Sequence, residues 1–76
     1  MSNTSEMIAI MEHGMSLATF SEFEDLLRAH SLIVYPRGIN LVIRDNLTGY
    51  RKRLRTIGMH DRYMERLRDW GALVHE

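Results

Sequence analysis

The sequence predicts a single α+β domain spanning residues 1–76: a small antiparallel β-meander packed against helices, in the order α-α-β-β-β-α. Three observations predict it. Apolar residues before position 30 recur at three- and four-residue spacing, the pattern of a helix with one buried stripe. Between 32 and 43 they form a β-branched run and then alternate with period two, and after Gly58 the helical spacing returns. A chain of 76 residues holds one core, and at that size it buries only about 60% of its unfolded surface, so close packing or a partner must supply the rest.

Each element has its own signal. Ser5 is placed to cap a short helix over 6–13, with Met7, Ile10 and Met11 on one side and Gly14 to stop it. Thr19 and Glu22 have the spacing of a capping box, and Ser21 with Glu24 repeats it two residues later; Phe23, Leu26, Leu27 and His30 then mark the core face of a second helix. Leu32 to Tyr35 suits a strand, and Tyr35-Pro36-Arg37-Gly38 a type I turn with proline second and glycine fourth. Ile39, Leu41 and Ile43 alternate with Asn40, Val42 and Arg44, the pattern of a half-buried strand, and Asp45 to Gly49 supplies a longer hairpin loop.

Tyr50 to Ile57 fits either a third strand or the start of a basic helix. The strand is preferred, because a helix there would have few apolar positions and would hold Gly58 inside it at a cost of about 1 kcal/mol. As a strand it sets Tyr50, Lys52, Leu54 and Thr56 on one face and Arg51, Arg53, Arg55 and Ile57 on the other. Tyr63, Leu67, Trp70 and Val74, with Met64 beside them, give a last helix from about 60 to 70, ended by Gly71.

Composition narrows the function classes. The formal net charge is zero, but residues 1–30 carry five acidic side chains (Glu6, Glu12, Glu22, Glu24, Asp25) against Arg28 alone. Residues 51–76 carry seven basic ones (Arg51, Lys52, Arg53, Arg55, Arg62, Arg66, Arg68) against Asp61, Glu65, Asp69 and Glu76. Such a bipolar chain suits neither an acidic nucleic-acid mimic nor an indiscriminate polycation. There is no cysteine, so disulfides and thiolate metal cages are excluded, in keeping with a reducing compartment. The N-terminus lacks the basic start of a signal peptide, and the apolar run Met7 to Met11 is too short for a membrane span, so a cytoplasmic protein is expected.

Catalytic signals are weak. His13, His30, His60 and His75 include no i,i+4 pair and no His-Glu-x-x-His, so no metal or other cofactor is expected. No glycine-rich phosphate loop occurs, and Ser16, Ser21 and Ser31 lack the context of a nucleophile. Glu22 with Asp25, and Glu24 with Arg28, serve most simply as helix electrostatics. A non-enzymatic protein is expected. The stronger signal is Arg51, Lys52, Arg53 and Arg55, continued by Arg62, Arg66 and Arg68, with Tyr50 and Tyr63 available for stacking. Such a set could contact phosphates or an acidic protein surface, or could simply keep a sheet soluble and guard its edge.

The stretches SEFEDLLRAHSLIVYPRGINLVI and LTGYRKRLRTIGMHDRYMERLRDW resemble the segment that follows the catalytic domain in conjugative relaxases of the mobilization family. Gly49, Arg53, Arg55, Ile57, Gly58, Tyr63 and Leu67 carry the likeness, which covers about residues 16 to 70, with Arg53 one place late. The chain has no His-x-His metal pair, and Tyr63 does not lie in a nicking motif, so no relaxase catalytic residue carries over. The resemblance implies a non-catalytic module of mobile-element ancestry acting as a stand-alone small protein. On that footing the expected partner is a protein component of a host nucleoprotein complex, as for an anti-CRISPR inhibitor, or alternatively a nucleic-acid backbone.

Overall fold

A computed structural model describes residues 3–72 and gives the order α1 (Thr4–Met15), α2 (Phe20–Ala29), β1 (Leu32–Arg37), β2 (Asn40–Asp45), β3 (Arg51–Arg53) and α3 (His60–Trp70). The strands form one antiparallel sheet in the order β1-β2-β3, so the predicted α+β meander is the observed fold. Val74, assigned to the last helix from sequence, lies outside the described residues.

The first helix starts earlier and ends later than its sequence signals suggest. Asn3, not Ser5, is the N-cap: its side chain accepts from the Glu6 N–H at 2.9 Å, and the Glu6 carboxylate accepts from the Asn3 N–H at 3.2 Å. This reciprocal box fixes the start. Gly14 does not stop the helix. It sits buried inside α1 because a Cβ there would lie 2.7 Å from Phe23 Cδ1, so the missing side chain lets α2 approach. In α2 the Thr19–Glu22 box forms as expected, while Ser21 and Glu24 are not used as a cap. His30 is exposed at the C-cap instead of joining the core stripe, and Ser31, at φ 60°, takes the left-handed position that more often belongs to glycine.

The first hairpin corrects the sequence reading most. Pro36 and Arg37 continue β1, and the turn is the two-residue loop Gly38-Ile39, closed by the Arg37–Asn40 pair. Gly38 has φ 61°, as the first central position of a type II′ turn demands. Ile39 therefore leaves the core face and stands 91% exposed at the tip. Proline is tolerated because of register. The Asn46 N–H to Ser31 C=O bond shows that odd-numbered residues of β1 bond to β2, so Pro36 directs its missing donor away from the sheet.

Asp45, nearly fully buried, ends β2 and accepts from the Leu47 and Thr48 N–H groups at 2.8 and 3.3 Å, which shapes the loop to Gly49. The third strand forms, but Leu54 to Gly58 leave it in turns. Leu54 keeps the register, its N–H bonding to the Leu41 carbonyl at 2.8 Å and its side chain wholly in the core, and the chain then turns back on itself as the Thr56 N–H bonds to the Arg53 carbonyl at 3.1 Å and the Met59 N–H to the Leu54 carbonyl at 2.8 Å. The core joins Met7, Met11, Phe23, Leu27, Leu32, Ile43, Leu54, Met59 and Tyr63, all between the helices and one face of the sheet. The other face of the sheet carries none of these residues.

Candidate functional site

Pairing register assigns the uncovered face. Ile33, Tyr35 and Arg37 of β1, Asn40, Val42 and Arg44 of β2, and Arg51 and Arg53 of β3 share it. It therefore holds four exposed arginines, Arg37, Arg44, Arg51 and Arg53, and no acidic residue. Among the described residues, none of the four makes a side-chain hydrogen bond or an ion pair. A shallow groove of about 640 Å³ crosses the face, lined by Arg37, Asn40, Val42, Arg51, Arg53 and Thr56, with Lys52 also on its border. Val42, on the central strand, is shielded between its larger cross-strand partners Tyr35 and Arg53 and forms an apolar floor.

Two of the arginines are directly opposed across the sheet. The Asp45 N–H to Tyr50 C=O and Leu54 N–H to Leu41 C=O bonds place residues 41, 43 and 45 of β2 in hydrogen-bonded pairs with β3. Arg44 and Arg51 are therefore a non-hydrogen-bonded pair, whose Cα atoms stand about 4.5 Å apart. Like charges directly opposite one another in a sheet destabilise it. Together the two exposed guanidiniums carry about ten N–H donors, a chemistry suited to carboxylate or phosphate oxygens.

The structure divides the residues singled out from sequence. Arg51 and Arg53 lie on this face. Lys52 pairs with Ile43 on the opposite parity, and its ammonium stands 5.7 Å from the Tyr50 ring. The Tyr50 hydroxyl hydrogen-bonds Thr4 Oγ1 at 2.7 Å, which ties the start of β3 to α1 and removes Tyr50 from the basic face. Arg55 is off the strand, in the turn, with its guanidinium 3.3 Å from His60 Nε2. Arg62 pairs with Glu12 at 3.3 Å, and Arg66 donates to the Leu17 carbonyl at 2.8 Å while covering the Trp70 ring at 4.9 Å. Arg62 thus ties α3 to α1, and Arg66 ties it to the connection between α1 and α2. Arg68 is exposed on α3, and Tyr63 is buried against Phe23 with ring centroids 5.5 Å apart.

Arg37, Arg44 and Tyr35 were not singled out from sequence. Arg44 carried a usable signal, since the alternation in β2 already placed it opposite the core. Arg37 and Tyr35 did not, because the turn assigned to 35–38 concealed their strand.

The bipolar charge of the chain becomes a charge contrast across the fold. Opposite the basic sheet face, α2 exposes Glu22, Glu24 and Asp25; its Arg28 pairs with Asp25 at 2.8 Å, one residue from the Glu24 partner expected. Tyr63 has a clearly perturbed acidity: burial, aided by the Glu24 carboxylate, pushes its phenol up to about 12. Among the described residues, no group of three histidine or carboxylate side chains is placed to hold a metal ion, and no helix is long and apolar enough to cross a membrane.

Comparison with protein-family models, with curated proteins and with solved structures returns no match for the chain.

Proposed function

We propose that this is a non-enzymatic interaction protein that docks its open basic sheet face on an acidic surface of a larger nucleoprotein machine and inhibits or regulates it. An anti-CRISPR-type inhibitor of phage or mobile-element origin, acting in the cytoplasm, is the example that also suits the relaxase-like stretches. One observation carries the reading: four arginines without counter-charges share an uncovered face, with Arg44 and Arg51 opposed where repulsion costs stability. A solubilising surface has no need of that arrangement, since interspersed charges of both signs serve solubility without repulsion. Arginine in place of lysine suits bidentate contact with carboxylates, and Tyr35 and Val42 add apolar area between the charges.

A second reading, a DNA-binding accessory module, is favoured by spacing. Arg51 and Arg53 are two steps apart on one strand, about 6.8 Å, which is twice the rise of about 3.4 Å per nucleotide in one nucleic-acid strand. The protein reading leads because the net charge of zero gives little non-specific affinity for DNA.

A salt titration of binding to a mixed-sequence DNA duplex separates the two. The docking reading expects weak binding that disappears near physiological salt. Tight binding that falls linearly on a log–log plot, with a slope near −3 to −4 for the arginines of the face, hands the site to DNA.

A further inference from the structure

The free edge of β1 is a second interaction surface, independent of the basic face. Since residues 31, 33, 35 and 37 bond to β2, the N–H and C=O groups of Leu32 and Val34, and the C=O of Pro36, point outward from the sheet. A hollow of about 180 Å³ runs beside them, lined by Phe20, Glu24, Arg28, Leu32, Ile33 and Val34 among others. Ile33 belongs to the outer sheet face and Leu32 and Val34 to the inner one, so the hollow lies along the edge itself. Ile33 is 44% exposed there, a patch of apolar surface open to solvent. The six-residue strand thus offers a ladder, an apolar contact and a recess in one place.

We infer that this edge pairs with the same edge of a second copy, antiparallel about a two-fold axis at Ile33, to give a continuous six-stranded sheet. Three features of the chain favour a second copy as the occupant. First, the axis exchanges Leu32 with Val34 of the partner, so each of these four residues donates and accepts across the dyad, and Pro36, which cannot donate, falls outside the ladder. Second, Ile33 meets Ile33 of the partner in a non-hydrogen-bonded pair, the closest kind, which covers the exposed side chain. Third, the flanking charges are self-complementary. Glu24 and Arg28 are one helical turn apart beside the edge, so an axis that passes between them sets Glu24 of each copy toward Arg28 of the other. Arg28 already donates to Asp25, but its side chain is 72% exposed and keeps further N–H donors.

Repulsion between the two basic faces does not forbid the pairing. The two Arg44 residues would stand three strand spacings apart, about 14 Å, beyond the Debye length of about 8 Å at physiological salt. The dimer would join both arginine sets on one side of a single sheet, twice the length of face for a partner. Contact through one edge is small, so association half-complete on the order of 10–100 μM is expected.

Sedimentation equilibrium of the full chain, from low micromolar to about 0.5 mM, tests this. The average mass should rise from near that of the monomer toward that of the dimer over the range, and Ile33→Lys should weaken association at least about tenfold. Glu24→Arg and Arg28→Glu alone should each weaken it, and the two combined should restore it. All three positions are exposed, so circular dichroism should report an unchanged fold. A monomer at every concentration overturns the inference; so does a dimer indifferent to these substitutions, or one that the double swap fails to restore. Glu24 and Arg28 lie on α2, away from the arginine face, so binding there is measured separately in the same variants.

Discussion

At the scale of single residues, Arg44 is the most telling, because its position is worse for the fold than a neutral residue would be. Facing Arg51 and making no ion pair among the described residues, it should cost the sheet about 0.2–1 kcal/mol. Arg44→Gln is therefore expected to raise the urea midpoint slightly while weakening partner binding. A lowered midpoint would show that Arg44 contributes to the fold and would remove the argument for a binding role. Tyr63 offers a second residue-level test. Its folded phenol titrates near 12 against an ordinary value of about 10, so the folded state keeps the proton where the unfolded chain loses it. That stability is intact below about pH 10 and is lost as pH rises to about 12, an effect of about 2–3 kcal/mol. Denaturant melts across this window should show the fall, and Tyr63→Phe should flatten it.

At the scale of elements, the helix pair and the α3 clamp decide stability. Gly14 is the contact point of α1 with Phe23, itself 1% exposed and unable to retreat. Gly14→Ala gains about 1 kcal/mol of helix propensity but overpacks the core, at about 1–3 kcal/mol, so a net loss in melting temperature is expected. A gain would mean that the two helices have room to separate. Arg66 and Trp70 both donate to the Leu17 carbonyl, at 2.8 and 3.1 Å, and so hold α3 on the α1–α2 connection. Arg66→Ala should cost about 1.5–3 kcal/mol in chemical unfolding with no direct effect on the sheet face. Unchanged stability would return Arg66 to the list of binding residues.

The elements also explain what the sequence made legible. Period and capping signals are local, so the helices and the first two strands can be read directly, as the Thr19–Glu22 box and Gly71 illustrate, whereas the stretch from Tyr50 to Ile57 fits a strand or a helix until its pairing with β2 decides. Where two local signals competed, tertiary context decided. Pro36 and Gly38 together suggest a type I turn, but pairing of β1 with β2 moves the turn to Gly38-Ile39. Gly14 imitates a helix stop, and only the position of Phe23 reveals its purpose. The candidate site was half legible for the same reason. Arg51 and Arg53 stood out as a run, whereas Arg37 and Arg44 join them only through cross-strand register, and Arg62 and Arg66 leave them only through contacts some fifty residues distant in sequence.

At the scale of the whole molecule, charge and core lie on opposite sides of one thin sheet. Helices and core occupy one face, arginines the other, and α2 carries the exposed acids. That division makes binding separable from folding, because among the described residues the arginines of the face make no side-chain hydrogen bond or ion pair. The most direct test is capture of partners from a nuclease-treated host lysate by the wild type and by the triple reversal Arg44→Glu, Arg51→Glu and Arg53→Glu, with both folds checked by circular dichroism. The account expects a protein that the wild type retains, that nuclease does not release and that the folded triple reversal fails to hold. Equal capture by the two, or capture that vanishes with nuclease, would contradict it.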